Sequence, residues 1–162
     1  MKKAVLSLLL CFTLCACSSG EITPCLKGIS FTAEMTYYNE SYCFDGSIST
    51  QGELTAVITS PEELKDLKLI LGEKGTTVEY KGITYTPVEG TMPFSAVLKN
   101  FYNPIREVMA EELLADGDGK LKTGEGTEAA VFVFSPTGLP QTMEHRGKGF
   151  SVNFYNVSII SA

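Results

Sequence analysis

Histidine is nearly absent from this 162-residue chain, which has only His145. That scarcity removes most hydrolase and metal constellations, because they draw on imidazole as base or ligand. The familiar motifs are missing too: there is no G-x-S-x-G, no H-E-x-x-H, no C-x-x-C and no phosphate-cradling glycine loop. A lone histidine can serve a Ser-His-Asp site in principle. His145, however, precedes the Arg146-Gly147 turn at a strand end, where a solvated surface role is expected. The carboxylate pairs Glu62-Glu63 and Glu111-Glu112 read as solvated faces. The sequence therefore points away from an enzyme, and a hydrolase built on His145 is the weakest reading.

Clustered positive charge is also lacking. Thirteen Lys and Arg stand against nineteen Asp and Glu, for a net charge of −6, and no group of basic residues forms a patch. Nucleic acid is excluded as a partner on that ground, since phosphate binding needs a clustered basic face. A polybasic grip on anionic headgroups is excluded in the same way.

Long apolar runs are limited to one, Ala4 to Ala16, preceded by the basic Met1-Lys2-Lys3. This has the n-region and h-region of a secretory signal, and it falls short of the roughly 20 residues of a spanning helix. Its end, Leu14-Cys15-Ala16-Cys17, resembles the bacterial lipobox: a branched apolar residue, a tolerant position, a small residue, then cysteine. That resemblance implies a diacylglyceryl group on Cys17 and cleavage before it. Residues 1–16 become a discarded signal peptide carrying Cys11 and Cys15, and residues 17–27, opening Ser18-Ser19-Gly20-Glu21, become a lipidated tether. Two acyl chains on one residue meet the requirement for stable anchoring. The membrane partner is then reached through Cys17, and the expected location is the extracytoplasmic face of the cell envelope. An ordinary signal peptide cut after Ala16 is the plainer alternative.

Loss of Lys2 and Lys3 with no acid takes the net charge from −6 to −8. The remaining 146 residues suit one domain, expected over 28–162. With Cys17 acylated, Cys25 and Cys43 are left as the candidate disulfide pair. If residues 29–38 and 42–50 form a hairpin about Asn39-Glu40, Cys43 lies opposite about residue 37. A bridge to Cys25 then requires the N-terminal segment to fold back over the sheet.

From residue 29 the apolar period is two, the mark of strands with one dry face. Ile29, Phe31, Ala33, Met35 and Tyr37 alternate with polar residues, as do Tyr42, Phe44, Gly46 and Ile48, then Leu54, Ala56 and Ile58. Further strands are predicted at 67–71, 76–81 and 83–86, the last two joined by a tight Lys81-Gly82 turn. The period changes at Pro93: Phe94, Val97, Leu98 and Phe101 fall on one face of a helix. Asn103-Pro104 predicts an interruption there, with a second helix over 104–115 presenting Ile105, Val108, Met109 and Leu113. Asp116 to Glu128 reads as a hydrophilic, solvated connection. Asp116-Gly117-Asp118-Gly119 in it is similar to the start of a calcium loop, but the third acidic ligand and closing glutamate are out of place, so no metal is expected. Strands over 129–134, 139–145 and 150–160 complete the pattern.

Three segments carry a wider resemblance: Phe31-Thr-Ala-Glu-Met-Thr-Tyr37; Gly52 to Pro61 followed by Leu64 to Leu71; and Gly138-Leu-Pro-Gln141 leading to Phe150-Ser-Val-Asn-Phe154. Over about residues 28–160 the chain resembles the LolA/LolB-type lipoprotein-carrier family. The resemblance implies an α+β, mainly antiparallel β fold: a curved, incomplete β-barrel whose open, apolar side is covered by short helices. In that family the cavity takes acyl chains of lipoproteins in transit, and relatives use the shape for other lipids, envelope sensing or protein partners. The chain departs from it in lacking a protruding apolar loop of the LolB kind, which argues against direct lipoprotein sorting.

Taken alone, the residues give an aromatic-rich inner face of Phe31, Met35, Phe44, Ile48, Leu54, Ile58, Phe132, Phe134, Phe150, Val152 and Phe154. The helical layer adds Phe94, Val97, Leu98, Phe101, Val108 and Met109. These are the candidate ligand-binding residues of a non-enzymatic, membrane-anchored lipoprotein that takes a lipid, acyl chain or other amphiphile, with no cofactor. The alternative is that they fill one another's space as a packed core. The protein would then be an envelope or sporulation-associated interaction module without a ligand, meeting a protein partner through an exposed edge or face.

Overall fold

A computed structural model describes residues 20–87 and 93–160. The signal segment 1–16 and Cys17 lie outside the described residues. Ten strands form one antiparallel sheet: β1 (Ile29–Tyr37), β2 (Glu40–Ile48), β3 (Leu54–Ser60), β4 (Lys68–Gly72), β5 (Gly75–Tyr80), β6 (Ile83–Tyr85), β7 (Lys120–Thr123), β8 (Ala130–Phe134), β9 (Pro140–His145) and β10 (Phe150–Ile159). Their order across the sheet is β6-β5-β4-β3-β2-β1-β10-β9-β8-β7. Two meanders are thus joined where β1 meets β10, and β6 and β7 are the two edges. Among the described residues the one α-helix, α1 (Pro93–Glu111), lies in the connection between those edge strands. Among the described residues no helix is long and apolar enough to cross a membrane.

The alternation read in the sequence sets the register. Ile29, Ala33 and Met35 on β1, Phe44 and Ile48 on β2, and Leu54, Ala56 and Ile58 on β3 are all fully buried. A one-residue slip would turn this set outward, which is what pins the pairing. The first hairpin turns at Tyr38-Asn39, with Tyr37 opposite Glu40. Cys43 is therefore opposite Glu34, not residue 37.

Three expectations are corrected. First, Asn103-Pro104 does not divide the helix: α1 runs unbroken for 19 residues with Pro104 inside it. An internal proline costs about 3 kcal/mol through its missing N–H and ring clash. Against that stands one continuous buried stripe, Phe94, Val97, Leu98, Phe101, Tyr102, Ile105 and Val108, and burying even two such side chains offsets about 3–6 kcal/mol. Second, the helix stops at Glu111 instead of 115. Glu112 adopts a left-handed conformation (φ 50°) and Leu113 N–H donates to the Val108 carbonyl at 3.3 Å, a Schellman-type termination. Third, the 116–128 connection contains β7, where Leu121 and Thr123 are buried between exposed lysines. Four residues of lysine-rich alternation gave too short a signal to read.

The boundary at residue 28 also moves. Ile22 and Ala115 exchange two backbone hydrogen bonds of 2.9 Å, and Cys25 N–H donates to the Gly138 carbonyl at 2.8 Å. Leu26 is buried. Gly138 lies with φ 80° directly against the Thr23 carbonyl, leaving no room for a side chain. Residues 22–27 are thus held to the fold.

Candidate functional site

The candidate ligand-binding residues come together, and they do so against one another. All but Met109 are buried in a single apolar cluster, and Met109 is half-buried against it. Phe101 on α1 meets Phe44 of β2 at 5.7 Å and Phe154 of β10 at 6.0 Å between ring centres, while Phe94 meets Tyr42 at 4.8 Å. Phe31 packs edge-on against Phe154 at 5.2 Å, and Phe132 stacks on Phe134 at 5.8 Å. Such ring pairs contribute beyond area burial, by about 0.5–1.5 kcal/mol each. The helix and the inner sheet face are therefore a filled layer at these positions.

An open apolar space lies beside that layer. A groove of about 550 Å³ is bounded on one side by Thr23, Pro24, Cys25, Leu26 and Lys27 and on the other by Val108, Met109, Glu112, Leu113 and Leu114. Its volume is in the range of small-ligand pockets. The Schellman turn builds one wall, because it turns Leu113 back toward Val108 as the helix ends. Docking of residues 22–27 builds the other. Lys27 and Glu112, both exposed, supply opposite charges among the lining residues. Of the sequence-predicted residues, Val108 and Met109 line this groove. Pro24 and Leu26 were missed because they were assigned to a tether, Cys25 was read only as a disulfide candidate, and Leu114 was not among the residues read on the apolar face of the 104–115 helix. The signal available was the apolar pair Leu113-Leu114 immediately after two glutamates.

Tyr102 ties the helix to the β2–β3 turn. Its hydroxyl donates to the Gly52 carbonyl, and Arg106 stacks over its ring at 5.9 Å. Burial raises the tyrosine pKa above its ordinary 10.0, opposed by the nearby Arg106 guanidinium and reinforced by Glu53 and Glu73.

His145 is not solvated as expected. It is buried, its ring lies 5.5 Å from that of Phe150, and its Nδ1 accepts the Lys148 N–H at 3.3 Å. It closes the 3₁₀ turn Arg146–Lys148 as a structural cap. Glu62, Glu63, Glu111 and Glu112 are exposed, as read from the sequence. At the calcium-like segment, Asp116 Oδ1 accepts the backbone N–H of Asp118 at 3.0 Å and of Lys120 at 2.8 Å, so this carboxylate is occupied in shaping the turn into β7.

The candidate disulfide does not form: Cys25 and Cys43 are both free, half-buried thiols. The reason is topological. Cys25 packs against the apolar cluster at the groove, whereas Cys43 alternates with the buried Phe44 and so lies on the opposite face of the sheet.

In comparisons with known proteins, the chain matches no protein-family model and none of the curated proteins.

Proposed function

We propose that this protein is a membrane-anchored, extracytoplasmic lipoprotein of LolA/LolB-like architecture that binds an acyl chain or similar amphiphile without covalent chemistry. The observation that carries this reading is the apolar groove between residues 23–27 and 108–114. It opens beside the segment leading to Cys17. Five residues lie between Cys17 and Thr23, a reach of at most about 22 Å, so a Cys17 anchor would hold the groove close to the bilayer surface. Lys27 and Glu112 suit a polar headgroup outside, with Leu113, Leu114 and Met109 around the chain.

The incomplete-barrel form is part of the same proposal. The helix touches both β4 and β7, which stand seven strand spacings apart in the sheet order. In a flat sheet that is about 34 Å, longer than the roughly 28 Å axis of a 19-residue helix. A sheet curled toward the helix brings both within reach. The ligand is assigned to the end of this layer and not to its filled centre, so the seventeen inner-face residues mostly act as scaffold.

The test is saturable uptake of a fluorescent fatty acid by the full chain, compared with Leu113→Glu and Leu114→Glu. Loss of uptake with unchanged melting supports the groove. Equal uptake by both variants removes it. Substitution of Phe101, fully buried between Phe44 and Phe154, would report on folding instead.

A further inference from the structure

The two edges of the sheet are guarded differently. β7 turns Lys120 and Lys122 to solvent, and edge lysines discourage the approach of another strand. β6 carries no charge at all: Ile83 is 66% exposed and Tyr85 41% exposed. They border a mainly apolar hollow of about 250 Å³ formed with Leu64, Leu67 and Tyr80, with Glu63 at its wall.

Backbone geometry says which groups face outward. Lys81 and Gly82 both have positive φ (49° and 78°), the two-residue turn that leaves its flanking residues as a hydrogen-bonded pair. Those are Tyr80 and Ile83. Alternation along the strand then directs the N–H and C=O of Ile83 and Tyr85 toward β5 and those of Thr84 to the open edge.

We propose that a second copy of this chain pairs at this edge, β6 against β6 antiparallel, about a two-fold axis at Thr84. The strand's self-complementarity selects this occupant. Thr84 meets Thr84 and exchanges two backbone hydrogen bonds. Ile83 meets Tyr85 of the second copy on either side, a β-branched and aromatic pairing made twice by symmetry. Lys81 falls opposite Pro87 of the second copy, so the paired strands themselves bring no like charges together. Ile83 and Tyr85 share the side of the sheet that carries Tyr80 and Val78, their partners on β5, so the two hollows merge across the axis. The contact is short and belongs to the weak, transient class. It is independent of the groove.

The experiment is oxidative cross-linking of the full chain with Thr84→Cys, compared with Lys122→Cys on the other edge, and sedimentation of the otherwise unmodified chain across a concentration series. Both sites are exposed, so neither change disturbs packing. The expected result is a disulfide-linked dimer several-fold more abundant for Thr84→Cys than for Lys122→Cys. Ile83→Lys should suppress both that dimer and the concentration-dependent association. Equal cross-linking at the two edges, association unaffected by Ile83→Lys, or cross-linking only to a different protein overturns the proposal.

Discussion

The ring of Phe31 lies over the backbone of its cross-strand partner Gly46, in the space that a β-carbon on Gly46 would occupy. The glycine is what lets a phenylalanine lie flat on the β1–β2 ladder and reach Phe154. Gly46→Ala should force the ring off its rotamer and destabilise the fold by about 1–3 kcal/mol. Gly20→Ala, with open space around it, should change nothing. Urea denaturation of both variants checks this.

The Tyr102–Gly52 hydrogen bond predicts an alkaline stability profile. Burial raises the folded pKa of Tyr102 above 10.0, so the native state keeps the proton where the unfolded chain loses it. The contribution is full below the unfolded value and is lost as pH rises through the folded one. Tyr102→Phe should lower stability by about 1–3 kcal/mol at neutral pH, through the unpaired carbonyl, and should flatten the decline above pH 10. Melting temperatures from pH 7 to pH 11 decide it; an unchanged alkaline slope in the variant would contradict the assignment.

How much of this was legible follows the strength of each local signal. The inner faces of β1, β2 and β3 were readable because strict alternation over seven or more residues admits one register. The helix was readable as a stripe, but its continuity was not, because Pro104 is a strong local signal against helix and only tertiary burial of Phe101 and Ile105 outweighs it. The groove was the least legible part. Cys25 and Leu26 sit in a stretch whose composition suits a tether, and their docking depends on backbone bonds to Ala115 and Gly138, far along the chain. His145 misled for a related reason: its burial is set by Phe150 across a turn.

Glu112 holds a left-handed conformation that glycine adopts without penalty. Glu112→Gly should stabilise the protein by up to about 1 kcal/mol, seen as a higher melting temperature. A fall in stability would mean that the glutamate side chain, not the turn, fixes the end of the helix.

The free thiols of Cys25 and Cys43 predict indifference to reductant. Melting in the presence and absence of dithiothreitol should coincide, and both thiols should react with a thiol reagent in denaturant. A melting temperature that falls on reduction would place the two cysteines in a bridge and require the 22–27 segment to run elsewhere.

Native mass spectrometry of the full chain, purified from a lipid-containing membrane extract, tests the central claim most directly. The account predicts a non-covalent added mass matching an extractable lipid, present in the parent protein and absent from Leu113→Glu at equal folding. Clean protein without added mass that also fails to take up a fluorescent fatty acid would contradict it, and would leave the groove as surface relief on a packed interaction module.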